Sequence, residues 1–126
     1  SEDQINGDLG HIRLIRQISG VPTIIDSLGS LMTTQLRRYD VADRAGLESL
    51  AAWFPSLIPV REKYGFTVHS ACADYENLQF VWIVSHDGDF DAAMAEYNPS
   101  PERAAVFEGF DNPITGMHLS FVEPIA

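Results

Sequence analysis

Residues 66–86, FTVHSACADYENLQFVWIVSH, constrain the fold of this chain more than any other stretch. Two runs rich in β-branched and aromatic side chains flank Glu76 and Asn77, the pattern of two strands folded back through a short turn. With Tyr75 opposite Leu78, Ala73 falls opposite Phe80, Ala71 opposite Trp82 and His69 opposite Val84. Strand side chains alternate between faces, so His69, Phe80, Trp82, Val84 and His86 share one side. Val68, Ser70, Cys72, Val81 and Ile83, small and mostly apolar, take the other side, as packing under helices requires. The hairpin is therefore expected to have one helix-covered face and a second face of aromatics and imidazoles, where a ligand would bind.

The rest of the chain supplies the partners of that hairpin. Residues 33–41 read as a strand, and Asp43 is placed to cap a helix in which Leu47, Leu50, Ala51, Phe54, Leu57 and Ile58 recur at helical spacing. Pro55 and Pro59 interrupt that helix, and Gly65 closes it. Asp87, Gly88 and Asp89 turn the chain into a second helix bearing Phe90, Ala93, Met94 and Tyr97. Asn98-Pro99 breaks it, Ser100-Pro101 restarts it with a cap and a first-turn proline, and Gly109 ends it. A last strand covers residues 114–122. The order β-α-β-β-α-β is the ferredoxin-like α+β pattern. Right-handed crossovers place its first strand between the third and fourth and its second at an edge, with an antiparallel sheet apart from the first and third strands. Both helices lie on one side, so an exposed apolar face is left on the other. Homodimerisation, sheet against sheet, would cover it.

Residues 32–126 thus form one domain, and residues 1–31 an N-terminal arm, either a short helix or a flexible extension. Ile12, Leu14, Ile15 and Ile18, alternating with Arg13 and Arg16, are the helix candidate, stopped by Gly20 and Pro22. Gly7-Asp8-Leu9-Gly10 before Ile12-Arg13-Leu14, and Ser27-Leu28-Gly29-Ser30-Leu31, resemble the short Gly/Leu/Ser peptides that load cargo into encapsulin shells. That resemblance implies a shell partner reached through residues 7–31.

Composition removes several classes of function. A formal net charge of -10 repels phosphate backbones, which argues against nucleic-acid binding. The one cysteine, Cys72, cannot form an internal disulfide and suits a reducing compartment; its place in the alternation makes it a buried, inert thiol. No apolar run approaches the roughly 20 residues that cross a bilayer, and no secretory signal pattern opens the chain. A cytoplasmic location is expected, with no membrane partner.

His69 and His86 sit on the aromatic face, and so does His118 if Met117, Leu119 and Phe121 face the helices. Imidazole titrates near neutrality, which suits acid or base work, and His86 and His118 are the candidate catalytic groups. The bland alternative is that each imidazole hydrogen-bonds within a wall or a dimer seam. His86 could pair with Asp87 or Asp89, although those carboxylates equally suit the following helix as caps. Trp82 could stack on a ligand or form the centre of a dimer interface. A metal is not expected, because His69 and His118 stand on opposite edge strands, roughly 14 Å apart. Alternation pairs Arg37 with Tyr39 and Arg38 with Asp40; either pair can look inward, and an inward arginine needs a carboxylate or an anionic ligand. No nucleophile elbow, phosphate loop or dinucleotide fingerprint is present.

TTQLRRYDV, the proline-bearing helix ending REKYGF, the block NLQFVWIVSHDGDFDAAMAEY and the closing MHLSFVEPI resemble NIPSNAP-like members of the dimeric α+β-barrel superfamily. The resemblance spans residues 32–125. It implies a homodimeric barrel that binds a small apolar or aromatic ligand between sheet and partner without a cofactor, and the residues on the aromatic face offer His69, Phe80, Trp82, Val84 and Tyr39 as its contacts. Two alternatives stay open. One is a cofactor-independent monooxygenase or isomerase using His86 or His118, and the other is a cargo protein recruited through its arm.

Overall fold

The structure is a computed structural model that describes residues 32–125 in full, together with the backbone of Leu14–Ile18, Val21–Ile25 and Leu31. Its elements run β1 (Leu14–Ile18), β2 (Val21–Ile25), β3 (Leu31–Val41), α1 (Arg44–Trp53), a 3-10 turn (Phe54–Ser56), α2 (Ile58–Lys63), β4 (Phe66–Asp74), β5 (Gln79–His86), α3 (Phe90–Tyr97), α4 (Pro101–Phe107) and β6 (Ile114–Val122). From β3 onward this is the ferredoxin-like α+β order expected from the sequence.

Local chemistry explains the boundaries. The Asp43 carboxylate accepts the Gly46 N–H at 2.7 Å, Asp89 accepts that of Ala92 at 3.1 Å, and the Ser100 hydroxyl accepts that of Arg103 at 3.2 Å. Each cap satisfies a first-turn donor that the helix cannot satisfy itself. Pro55 and Pro59 split the long helical run into α1, the 3-10 turn and α2, since each lacks the N–H of an uninterrupted helix. Between β4 and β5 the Asp74 side chain accepts the N–H groups of Glu76 and Asn77. Leu78 completes the turn in the left-handed region, at φ 55, and its carbonyl accepts the Val41 N–H at 3.0 Å.

β3 lies between β5 and β6, and β4 pairs the far side of β5. All of these pairings are antiparallel. The first and third strands of the motif, β3 and β5, are thus antiparallel neighbours, correcting the expected exception: the helical crossover joins β3 to β4, and β5 is inserted between them. The hairpin register places Ala73 against Phe80 and Ala71 against Trp82 as expected. An irregularity between Val68 and Ser70 then puts Val68, not His69, opposite Val84.

Residues 14–18 form a strand paired with Val21–Ile25, not a helix. Ile15 and Ile18 in the first segment and Val21, Thr23, Ile24 and Ile25 in the second are β-branched and lose side-chain freedom in a helix, and each segment offers the other a ladder. β2 continues onto the start of β3 through Ile24 with Met32 and Ile25 with Leu31. The peptide motifs of residues 7–31 lie for the most part outside the described residues.

The core forms between the sheet and the helices. Leu47, Leu50, Phe54 and Leu57 descend onto Tyr39, Phe80, Trp82 and Val84, each of these eight residues no more than 6% exposed. Phe54 meets Phe80 and Trp82 at ring-centroid distances of 4.9 Å each. Face assignment in the β4–β5 hairpin is therefore the reverse of the expectation, whereas Met117, Leu119 and Phe121 of β6 do lie on the helix side. Phe80, Trp82 and Val84 lie beneath the helices, while Val81 and Ile83 share the open face with Leu36 and Arg38. Cys72 is exposed on that open face, not buried. Large rings bury far more area than Val or Ile, so they take the side the helices seal most completely.

Candidate functional site

A cavity of about 160 Å³ lies between the helices and the inner face of the sheet. Its walls include Tyr39 and Trp82 from the sheet, Phe54 and Leu57 from the helical layer, and three guanidiniums, Arg37, Arg61 and Arg103. Met117 and Asn112 also line it, and both are exposed, which puts the opening on the β6 side.

Each arginine arrives by a different route. Arg37 is on β3, where alternation sends it inward beside Tyr39; it is 7% exposed. Its Nε donates to the Tyr39 hydroxyl at 2.7 Å and one terminal nitrogen donates to Gln35 Oε1 at 2.7 Å. Arg61 extends the buried series Leu47, Leu50, Phe54 and Leu57 at alternating steps of three and four, and the broken helix delivers it to the sheet at 3% exposure. One terminal nitrogen reaches the Met94 sulfur at 3.3 Å, a weak acceptor, while its buried Nε has no partner. The Arg61 guanidinium lies 4.3 Å from the Tyr97 ring centroid and 4.9 Å from those of Phe66 and Trp82. Arg103 lies 4.3 Å from the Phe107 ring, and its Nε is likewise buried and unpartnered.

No carboxylate among the described residues forms an ion pair with any of the three. Burial is the largest influence on Arg61 and pulls its pKa down to about 10, with repulsion from Arg37 adding to the effect. It remains charged at neutral pH. Trp82, 1% exposed, adds a buried indole N–H with no acceptor. The site is thus a cationic, donor-rich hollow with aromatic walls inside a chain whose formal net charge is -10.

The residues singled out from the sequence separate into three groups. Tyr39 and Trp82 line this cavity, on the helix side of the sheet and not on a partner-facing side. Phe80 and Val84 are packed core, 3% and 0% exposed, and are not among the lining residues. The histidines are dispersed. His86 Nδ1 accepts the Gly88 N–H at 2.9 Å, so Nε2 carries the proton donated to the Tyr64 carbonyl at 3.2 Å. His69 meets the Ser85 hydroxyl at 2.7 Å. His118 bonds Asp40 at 2.8 Å on the open face, and that bond is the main reason the Asp40 carboxyl is held below its usual value. Asp89 caps α3 as anticipated. No cluster of metal-ligating side chains occurs among the described residues, and no described helix is long and apolar enough to cross a membrane.

Sequence reasoning named Arg37 as a possible inward arginine but missed Arg61 and Arg103. A signal for Arg61 was present: it occupies the next position of the buried stripe.

The ferredoxin-like fold of this domain is one that solved proteins share. A NIPSNAP-like domain protein from Burkholderia xenovorans superposes with a TM-score of 0.63 at 18% identity, over 75% of this chain and 86% of its own. A NIPSNAP family protein of unknown function from Agrobacterium tumefaciens gives 0.59 at 13% identity, covering 74% and 87%. A protein described as a putative antibiotic biosynthesis monooxygenase from Bacteroides thetaiotaomicron gives 0.58 at 20% identity, covering 75% and 90%. At such identities the likeness is one of fold. No protein-family model and no curated protein matches the chain.

Proposed function

We propose that this chain is a small-molecule-binding domain that works as a homodimer, with its ligand held between sheet and helices. The observation that carries this reading is the cavity itself: about 160 Å³, walled by aromatic rings, with Trp82, whose buried indole N–H is unpaired, among its lining residues. Ligand sites are typically hollows of this mixed kind, apolar with a few convergent polar groups. A hollow of roughly 150 Å³ is large enough for benzene, so one ring is the size of ligand that fits.

The homodimer is supported by the open sheet face. Leu36, Val81 and Ile83 form an apolar stripe there that the helical layer does not cover. A second copy is the natural cover for such a stripe. The arrangement then divides the labour, with dimerisation on one side of the sheet and ligand on the other.

The catalytic alternative with a histidine base has weaker support. Both ring nitrogens of His86 are committed to backbone groups, and His118 is on the face away from the cavity. The test of the binding reading is titration of ¹⁵N-labelled protein with phenol, following the two indole N–H resonances, with Trp53→Phe used to assign them. The Trp82 resonance should shift in a saturable manner. If only resonances of exposed residues move, the cavity is not the ligand site.

A further inference from the structure

We infer that the cavity selects an anion, a single-ring aromatic carboxylate, whose carboxylate faces the Arg61 guanidinium and whose ring lies against Trp82 and Phe54. This deepens the reading of the cavity as the ligand site and rests on it.

Three independent features converge on a negative ligand. Arg61 is 3% exposed and its Nε has no partner, yet it lines an open volume. A buried guanidinium ordinarily comes with a carboxylate, and here its surroundings among the described residues are three rings, a thioether sulfur and the Tyr97 hydroxyl, none of them an anion. Arg37 and Arg103 add further positive charge to the same lining, and neither has an acidic partner among the described residues. The Trp82 indole N–H and the Arg103 Nε are further buried donors without acceptors, so the lining has donors to offer and few acceptors. A neutral ligand would leave that imbalance in place, whereas a carboxylate brings two acceptor oxygens that match the guanidinium fork.

Size and walls decide which anion. The volume of about 160 Å³ admits one six-membered ring with a short acidic substituent, and the Phe54, Leu57, Tyr97 and Trp82 side chains give the ring apolar and aromatic contact. A bare tetrahedral anion would leave those walls unfilled.

The test is calorimetry at constant ionic strength with benzoate, its neutral isostere benzamide, and inorganic phosphate, on the whole chain and on Arg61→Met and Trp82→Phe. Benzoate should bind the unsubstituted protein at least about tenfold more tightly than benzamide, as a charge-assisted contact requires. Arg61→Met should abolish that preference, and Trp82→Phe, which keeps an aromatic ring but loses the donor, should weaken benzoate by roughly threefold or more. Benzamide binding as tightly as benzoate, or an unchanged preference in Arg61→Met, overturns the anion inference while leaving the cavity reading intact. Phosphate matching benzoate overturns the aromatic part. If no probe binds and none moves the Trp82 indole resonance, the cavity reading falls and takes this inference with it.

Discussion

Arg61→Met should make the ligand-free protein more stable, although Arg61 is among its most buried side chains. Burial, with repulsion from Arg37 and partly offset by Tyr97, holds the Arg61 pKa down to about 10, which corresponds to a net penalty on the charged form of roughly 3 kcal/mol. Its contacts with the Tyr97, Phe66 and Trp82 rings return about 2 kcal/mol when desolvated. Methionine has a similar reach, needs no counter-charge and adds about 1 kcal/mol of apolar burial. The expected gain is therefore about 1–2 kcal/mol, which for a domain of this size raises Tm by about 3–8 °C. Urea unfolding followed by tryptophan fluorescence, without ligand and at fixed protein concentration, measures it; an unchanged slope on denaturant shows that only stability has moved. The pH dependence has a definite sign. The folded state holds the Arg61 proton less tightly than the unfolded chain, so wild-type stability rises as pH climbs from about 10 towards the ordinary arginine range, and the advantage of the variant shrinks there. A loss of more than about 1 kcal/mol in Arg61→Met would refute the reasoning, because the guanidinium would then be a structural element and not a charge kept for a ligand.

Three further outcomes follow from the same geometry. Gly65→Ala should destabilise by about 2 kcal/mol or more by thermal unfolding, since φ is +91 and the new methyl would sit 2.7 Å from His86 Nε2; a neutral result would show that the Gly65–His86 corner is plastic. Ile83→Asp should convert the proposed dimer to a monomer in analytical ultracentrifugation while the Trp82 indole resonance keeps its position; a persistent dimer would place the interface elsewhere. Glu102 accepts from Lys63 and from the Tyr64 hydroxyl, and the Lys63 bond above all holds its carboxyl down to about 2. Its contribution is present above the unfolded value of 4.5 and is lost as pH falls towards about 2, so Glu102→Gln should flatten the Tm profile across that window; parallel profiles would mean the clasp adds nothing.

Much of the architecture was legible because it rests on local chemistry. Asp43, Asp89 and Ser100 cap the helices they precede, and the Ala73–Phe80 and Ala71–Trp82 pairs follow from the turn alone. What failed was the choice of side. Phe80, Trp82 and Val84 alternate with Val81 and Ile83, so both faces of β5 read as apolar and alternation cannot say which one the helices cover. The answer lies in long-range registers: Arg37 is opposite both Trp82 and Leu119, which ties the indole to the same face as Phe121 and Phe90. Those registers cannot be read from spacing within one strand. The cavity was hidden for a related reason, since arginine is a surface residue by default and Arg61 carries its meaning only through its phase in an interrupted helix.

The irregularity in β4 leaves Phe66 and Val68 inward before it and Ala71 and Ala73 inward after it, with His69 as the supernumerary residue. Excising His69 would give a strand of strict alternation in which every remaining side chain keeps its side, at the loss of one contact to Ser85. The edge of the sheet thus holds a spare link, whose loss shortens the strand without turning any inward side chain away from the rings.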